Sequence, residues 1–284
     1  MRRAFVTKAL FLVLALAALA LPTAARHATW ALLAVTATIL LFGPIVHPRW
    51  GFYVPTRGRG RGRGVALTFD DGPDPRWTPA ILAVLRERRV KAAFFVVGRR
   101  AEAHPDLVRA MVAEGHVVGG HSFDHDGGFH FRSPRKLTAE LARFDRVLAP
   151  LLGGQSCRFF RAPQGLRTPM LADALRRHGL VCVGWSARAF DALPAGPDTL
   201  LRRWLRGARP GAIVLLHDGG GLGGSDDRSA TVAALPRLLD ALEARGLPPE
   251  RLDHLLCEAA YRPLAGTTPA TLRVLEAPAA PPSP

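Results

Sequence analysis

Residues 65–262 predict an α/β fold on a parallel sheet, either open or closed into a barrel. Short apolar runs alternate strictly with amphipathic helical patterns over this stretch. Several of those patterns begin at a proline behind a capping residue, as in Ser133-Pro134 and Thr168-Pro169, while Gly115, Gly179 and Gly246 stand where others stop. The runs that read as strands are 65–70, 91–97, 116–120, 157–161, 180–186, 212–217 and 252–257.

Appendages flank this region. Residues 9–25 and 27–48 are free of acidic, lysine and arginine side chains and are each close to the about 20 residues that span a bilayer. Residues 1–50 are therefore expected to form a membrane anchor of two transmembrane helices. Two other readings remain: a secretory signal, with Arg2, Arg3 and Lys8 before an apolar stretch ending near Ala24 and Ala25, and a buried core helix. Residues 51–64 contain the run RGRGRGRG, which cannot bury a face and is expected to be a flexible, charged linker. Residues 263–284, rich in proline and alanine, read as a disordered tail.

The net charge of +15 is almost wholly due to arginine and favours anionic neighbours, with membrane lipids expected as one partner. Nucleic acid is not expected, because no aromatic residues interleave the basic run to stack on bases. The positive-inside rule sets Arg49, Arg57, Arg59, Arg61 and Arg63 on the cytoplasmic side of an inner membrane if both apolar segments span. If only the first inserts, the domain faces the exterior. Cys157, Cys182 and Cys257 are odd in number and far apart, which reads as buried thiols.

Polar residues cluster where the expected strands end, the face that holds active sites in parallel barrels. The first strand ends in TFDDGP, with Asp70 and Asp71 adjacent, and the third in HSFDH, with His121 and His125 four apart. On a helix, that spacing puts both imidazoles on one side. With one carboxylate they supply three metal ligands and leave positions open for water. Either histidine alone reads as a hydrogen-bonded core residue, and DD alone as a solvated turn. The same ligand set also serves non-haem iron oxygenases, so it leaves both chemistries open. The fourth strand runs into FFRAPQG, which offers Arg161, and the sixth ends in IVLLHDGG, where His217 leaves a buried strand poised for proton transfer. Leu215 shares the side of that strand with His217 and is a candidate wall for a substrate bound there.

In this order, TFDDGP, HSFDH, RAPQG, a strand bearing Trp185 with the later Asp191, and LLHD resemble the polysaccharide deacetylase (NodB-homology, carbohydrate esterase 4-like) family over nearly all of 65–257. The resemblance implies a distorted, incomplete (β/α) barrel of about seven parallel strands. It implies Asp70 as catalytic base, Asp71, His121 and His125 as metal ligands, Arg161 as the partner of Asp70, His217 as general acid and Asp191 as the group that orients it. It further implies Gln164, through its backbone N–H, and Trp185 at the substrate. Zinc is the metal expected first, with other divalent transition metals as alternatives.

The chain also departs from the family pattern. RAPQG stands where RPPYG is common, replacing an aromatic residue with Gln164, and Arg188 stands where one family aspartate would be. The expected reaction is removal of an acetyl group from an N-acetylated amino-sugar glycan or a lipid-linked sugar. The alternatives are removal of formyl or another acyl group from a polyprenyl-linked sugar and, in a different class, a non-catalytic glycan-binding protein.

Overall fold

The computed structural model describes residues 22–46, 53–221 and 224–263. The chain separates into two units, residues 1–52 and 53–284. In the first, one helix, α1 (Thr23–Val46), is described, with Trp30, Leu32, Val35 and Ile39 exposed. Among the described residues no helix is long and apolar enough to cross a membrane, so the expected pair of transmembrane helices is not found. The helix starts before Arg26 and runs through it, because residues 23–30 hold neither glycine nor proline to break it where the two spans should part. Arg26, His27 and Thr29 also shorten its unbroken apolar run. The remainder of the first expected span, 9–21, and the expected tail beyond 263 lie outside the described residues.

In the second unit the strands are β1 (Thr56–Arg57), β2 (Ala66–Asp70), β3 (Ala93–Val96), β4 (Val117–Gly120), β5 (Gln155–Cys157), β6 (Phe159–Phe160), β7 (Val181–Val183), β8 (Ala187–Arg188), β9 (Ile213–His217) and β10 (Tyr261–Pro263). Eight of them form one parallel sheet in the order β1-β7-β6-β4-β3-β2-β9-β8. The outermost strands, β1 and β8, each pair on one side only, so the curled sheet stays open as an incomplete barrel. Strands β5 and β10 pair antiparallel apart from it. The helices are α2 (Trp77–Glu87), α3 (Gly98–Ala103), α4 (Pro105–Ala113), α5 (Pro134–Leu148), α6 (Pro169–Arg177), α7 (Pro197–Gly207), α8 (Ser229–Ala244) and α9 (Leu252–Leu256). The expected caps form: Ser133 Oγ accepts from the Lys136 N–H at the start of α5, and Thr168 Oγ1 from the Leu171 N–H at the start of α6.

Period-2 alternation divides the central strands between two cores. Leu67 and Phe69 of β2, Phe94 and Val96 of β3, and Val214 and Leu216 of β9 face the helical layer, where they meet Ile81 and Leu85 of α2, Met111 of α4, Trp204 of α7 and Leu238 of α8. Ala66, Ala93, Phe95, Phe159, Val183 and Ile213 face inward and pack with Leu252, Leu255 and Leu256. Residues 252–257, expected as a strand, are therefore the short helix α9, which plugs the inner face of the curled sheet with leucines at helical spacing. That change of element also moves Cys257, expected to be buried, to an exposed position just past the helix at φ 53°.

The arginine–glycine run is not a free linker. Thr56 and Arg57 register with Cys182 and Val183 of β7, the Gly60 N–H donates to Gly211 O (2.8 Å), and the Arg61 N–H donates to Leu255 O (3.0 Å). Glycine is needed here because of close approach, not flexibility: a Cβ on Gly60 would lie 2.3 Å from the Leu255 carbonyl oxygen. Gly60→Ala is thus expected to destabilise the domain by about 1–3 kcal/mol, the usual cost of overpacking. Chemical denaturation measures it; an unchanged midpoint would restore the linker reading.

Candidate active site

The inner face of the sheet carries apolar residues at one end and, two residues further along β2, Thr68 and then Asp70. An extended strand would send Asp71 to the opposite face from Asp70. The backbone instead turns at Asp71, which sits at φ 74°, and both carboxylates enter the same cleft. Ser122, His125, Gln164 and Phe190 around that cleft also have φ between 50° and 65°. Such conformations cost of order 1–3 kcal/mol each for non-glycine residues and collect at functional sites. His121 and His125 do not share a helix face as their spacing suggests; they meet through the loop after β4, which the Ser122 and His125 backbones fold back, with their rings 5.0 Å apart.

Asp71 Oδ1 lies 3.4 Å from His121 Nε2 and 3.1 Å from His125 Nε2, and one donor atom from each of the three residues fits within 4.8 Å of the others. This donor set fits a divalent ion. Asp71 Oδ1 is buried without a hydrogen-bond donor, and His121 Nδ1 is 2.9 Å from the Arg161 carbonyl oxygen. That carbonyl selects the tautomer with the proton on Nδ1, leaving the Nε2 lone pair free to ligate. Burial pushes the Asp71 carboxyl up, but the imidazoles of His121 and His125 facing it pull it down further, so it ends well below its ordinary value. The glycine loop after β9 must stay bare, since a Cβ on Gly221 would meet Asp71 Oδ2 at 2.4 Å.

Asp70, whose Oδ2 lies 3.9 Å from His121 Nε2, is held chiefly by another set. Arg161, fully buried, donates from Nη1 to Asp70 Oδ1 (2.7 Å) and Thr68 Oγ1 (2.8 Å), from Nη2 to Gly184 O (2.9 Å) and from Nε to Val183 O (3.3 Å), and its guanidinium lies 4.1 Å from the Phe95 ring centroid. These bonds hold the guanidinium rigidly against one oxygen of Asp70.

Across the cleft, His217 Nδ1 is 2.9 Å from Asp191 Oδ1, and the His217 backbone N–H donates to Asp191 Oδ2 at 2.9 Å. Thr231 Oγ1 donates to the same Oδ2. Burial pulls the His217 imidazole down, but the Asp191 carboxylate, with Asp71 and Asp70 adding to it, lifts it to about 9. The imidazole is therefore protonated at neutral pH. If His217 acts as an acid, activity falls as pH rises through this value, and Asp191→Asn, which removes the main raising charge, shifts that basic limb to lower pH. A pH–rate profile of this variant with its limb unmoved would contradict the pairing.

All ten residues singled out from sequence meet at this cleft or brace it: Asp70, Asp71, His121, His125, Gln164, Trp185, Leu215 and His217 line it, while Arg161 and Asp191 stand behind Asp70 and His217. The sequence reading missed Asp218, whose carboxyl takes the Gly72 N–H (3.1 Å) and the Thr78 hydroxyl (2.6 Å) and which burial lifts to about 7. It pins the turn that carries Asp71; its position directly after His217 was the available signal. Arg100, which donates to the Asp71 carbonyl at 2.7 Å, carried no sequence signal. Arg188, Phe190 and Leu193 form the rim.

A curled parallel sheet with a His–His–Asp cluster, an Arg-held carboxylate and an Asp-held histidine at its carboxyl ends is an arrangement suited to a hydrolase. Comparison with known proteins narrows the class. The polysaccharide deacetylase family matches residues 57–183. A chitooligosaccharide deacetylase of Sinorhizobium fredii is 39% identical over 198 residues, covering 68% of this chain and 91% of the relative. A solved peptidoglycan N-acetylglucosamine deacetylase superposes with a TM-score of 0.68 at 28% identity, over 73% of this chain and 95% of the other. A carbohydrate esterase family 4 pseudoenzyme from Bacillus anthracis superposes with a TM-score of 0.63 at 26% identity, over 70% and 67% of the two chains. The protein belongs to the polysaccharide deacetylase family, hydrolases that act on N-acetyl amide bonds.

Proposed function

We propose that the protein hydrolyses the N-acetyl amide of an amino-sugar glycan or lipid-linked sugar, with Asp71, His121 and His125 holding one divalent ion, zinc foremost. The observation that carries this reading is the split pairing of the adjacent carboxylates: Asp71 faces two imidazoles and Asp70 faces a buried guanidinium. One is thereby assigned to the ion and the other is left for proton transfer. When bound, the ion supplies Lewis acidity toward the acyl carbonyl and toward water.

The remaining steps fall to the chain's own side chains. Asp70 takes the proton of the attacking water, with Arg161 holding its other oxygen. The new C–O bond turns the carbonyl oxygen into an oxyanion, toward which the backbone N–H of Gln164 is directed in this reading. His217, protonated and oriented by Asp191, gives its proton to the amine as the C–N bond breaks. Acetate and a free amino sugar leave. Leu215 and Trp185 supply the apolar walls that receive the methyl group and the sugar face.

Removal of formyl is the second enzymatic reading, and the two are separated by offering matched N-acetyl and N-formyl glucosamine oligomers. Acetate release at the higher kcat/KM supports the first; a preference for formate release overturns it. A non-catalytic role, as in the B. anthracis pseudoenzyme, is disfavoured by the presence of Asp70, Asp71, His121, His125 and His217 in one cleft.

A further inference from the structure

The rim of the cleft holds a cation that the hydrolytic reading does not use. Arg188 ends β8 and registers with Leu215 of β9, so it stands one strand spacing, about 5 Å, from the proposed wall of the acyl pocket. Its guanidinium lies over the Phe190 ring, 4.1 Å from the centroid. Among the described residues no carboxylate pairs with it: burial pulls this guanidinium down from its ordinary value and no acidic neighbour lifts it again. The other charged groups of the cleft are already matched, Asp70 by Arg161, Asp71 by His121 and His125, and His217 by Asp191.

The segment is held in place. The Ala189 carbonyl accepts from Arg203 at 3.0 Å, and Asp191 is fixed by His217 and Thr231. Between these anchors Phe190, at φ 58°, is 47% exposed, and Leu193 beside it is 52% exposed. Stacking uses the flat face of a guanidinium and leaves its N–H edge free, and that edge matches a carboxylate or phosphate bidentately. An exposed ring next to it offers a sugar face its apolar contact.

We propose that Arg188 and Phe190 form a subsite for an anionic substituent, carboxylate or phosphate, carried by the acylated sugar or its neighbour. The protein then favours acidic N-acylated glycans over neutral ones. The proposal rests on the de-N-acylation reading only for where the sugar lies.

The test measures binding, so it does not depend on turnover. In full-length zinc-loaded protein carrying Asp70→Asn, calorimetry compares chitotetraose, its C6-oxidised carboxylate form and its 6-phosphorylated form. The acidic oligomers are expected to bind at least about tenfold more tightly than the neutral one, equivalent to about 1.4 kcal/mol. Adding Arg188→Gln, which keeps much of the side chain's length, is expected to bring that ratio close to one. The arm with the larger ratio, carboxylate or phosphate, identifies the source of the charge. A parent ratio near one, or a ratio that survives Arg188→Gln, overturns the subsite. If the ratio behaves as expected but wild-type protein releases no acetate from any of the three, the subsite stands and the hydrolytic reading falls.

Discussion

Asp70→Asn is expected to keep the metal and lose turnover by about two to four orders of magnitude, the usual contribution of a general base. The amide fills the same volume and its oxygen still accepts from Arg161 Nη1, so the cleft keeps its shape. It cannot accept the water's proton. The substitution also leaves the Arg161 charge without its counter-ion in a fully buried site, so a stability loss of about 3–5 kcal/mol accompanies the kinetic one. Single-turnover kinetics with metal content measured on the same sample separates the two effects. Near-normal turnover by a folded, metal-loaded variant would move the base elsewhere.

His125→Ala is expected to act on the earlier requirement. Two protein ligands hold a divalent ion far less well than three, and the loss should exceed the about 10- to 100-fold that outer-shell substitutions cost. The remaining pair, Asp71 and His121, lie 3.4 Å apart, and Asp71 Oδ1 has no other donor in the site. Metal titration followed by elemental analysis reads this directly, and activity should return only at high added metal. Stoichiometric metal in the purified variant would exclude His125 from the ligand set.

Much of the site was legible because its residues sit in local signals: adjacent carboxylates at the end of an apolar run, histidines four apart, a histidine leaving a buried strand. The way they meet was not. The spacing of His121 and His125 suggested a helix face, whereas the positive φ of Ser122 and His125 folds the loop instead, and no residue type announces that conformation. The central strands β2, β3, β4 and β9 were legible as apolar runs, but β1 and β8 are two residues long and exist through partners distant in sequence, Cys182 and Val183 for the one and Val214 and Leu215 for the other. The same non-local pairing orders the arginine–glycine run, which local composition reads as a linker. Residues 252–257 show a different failure. Leu252, Leu255 and Leu256 are spaced for a helix, and reading their apolarity without their period produced a strand.

The reaction itself is tested most directly by one assay on the purified protein. Chitotetraose is incubated with chelator-treated and zinc-reloaded samples, and acetate and free amine are counted together. The account predicts equal amounts of the two products, released only from the reloaded sample and not from its Asp70→Asn counterpart. Equal release from the metal-free sample, or none from the reloaded one with any N-acylated sugar offered, would contradict it.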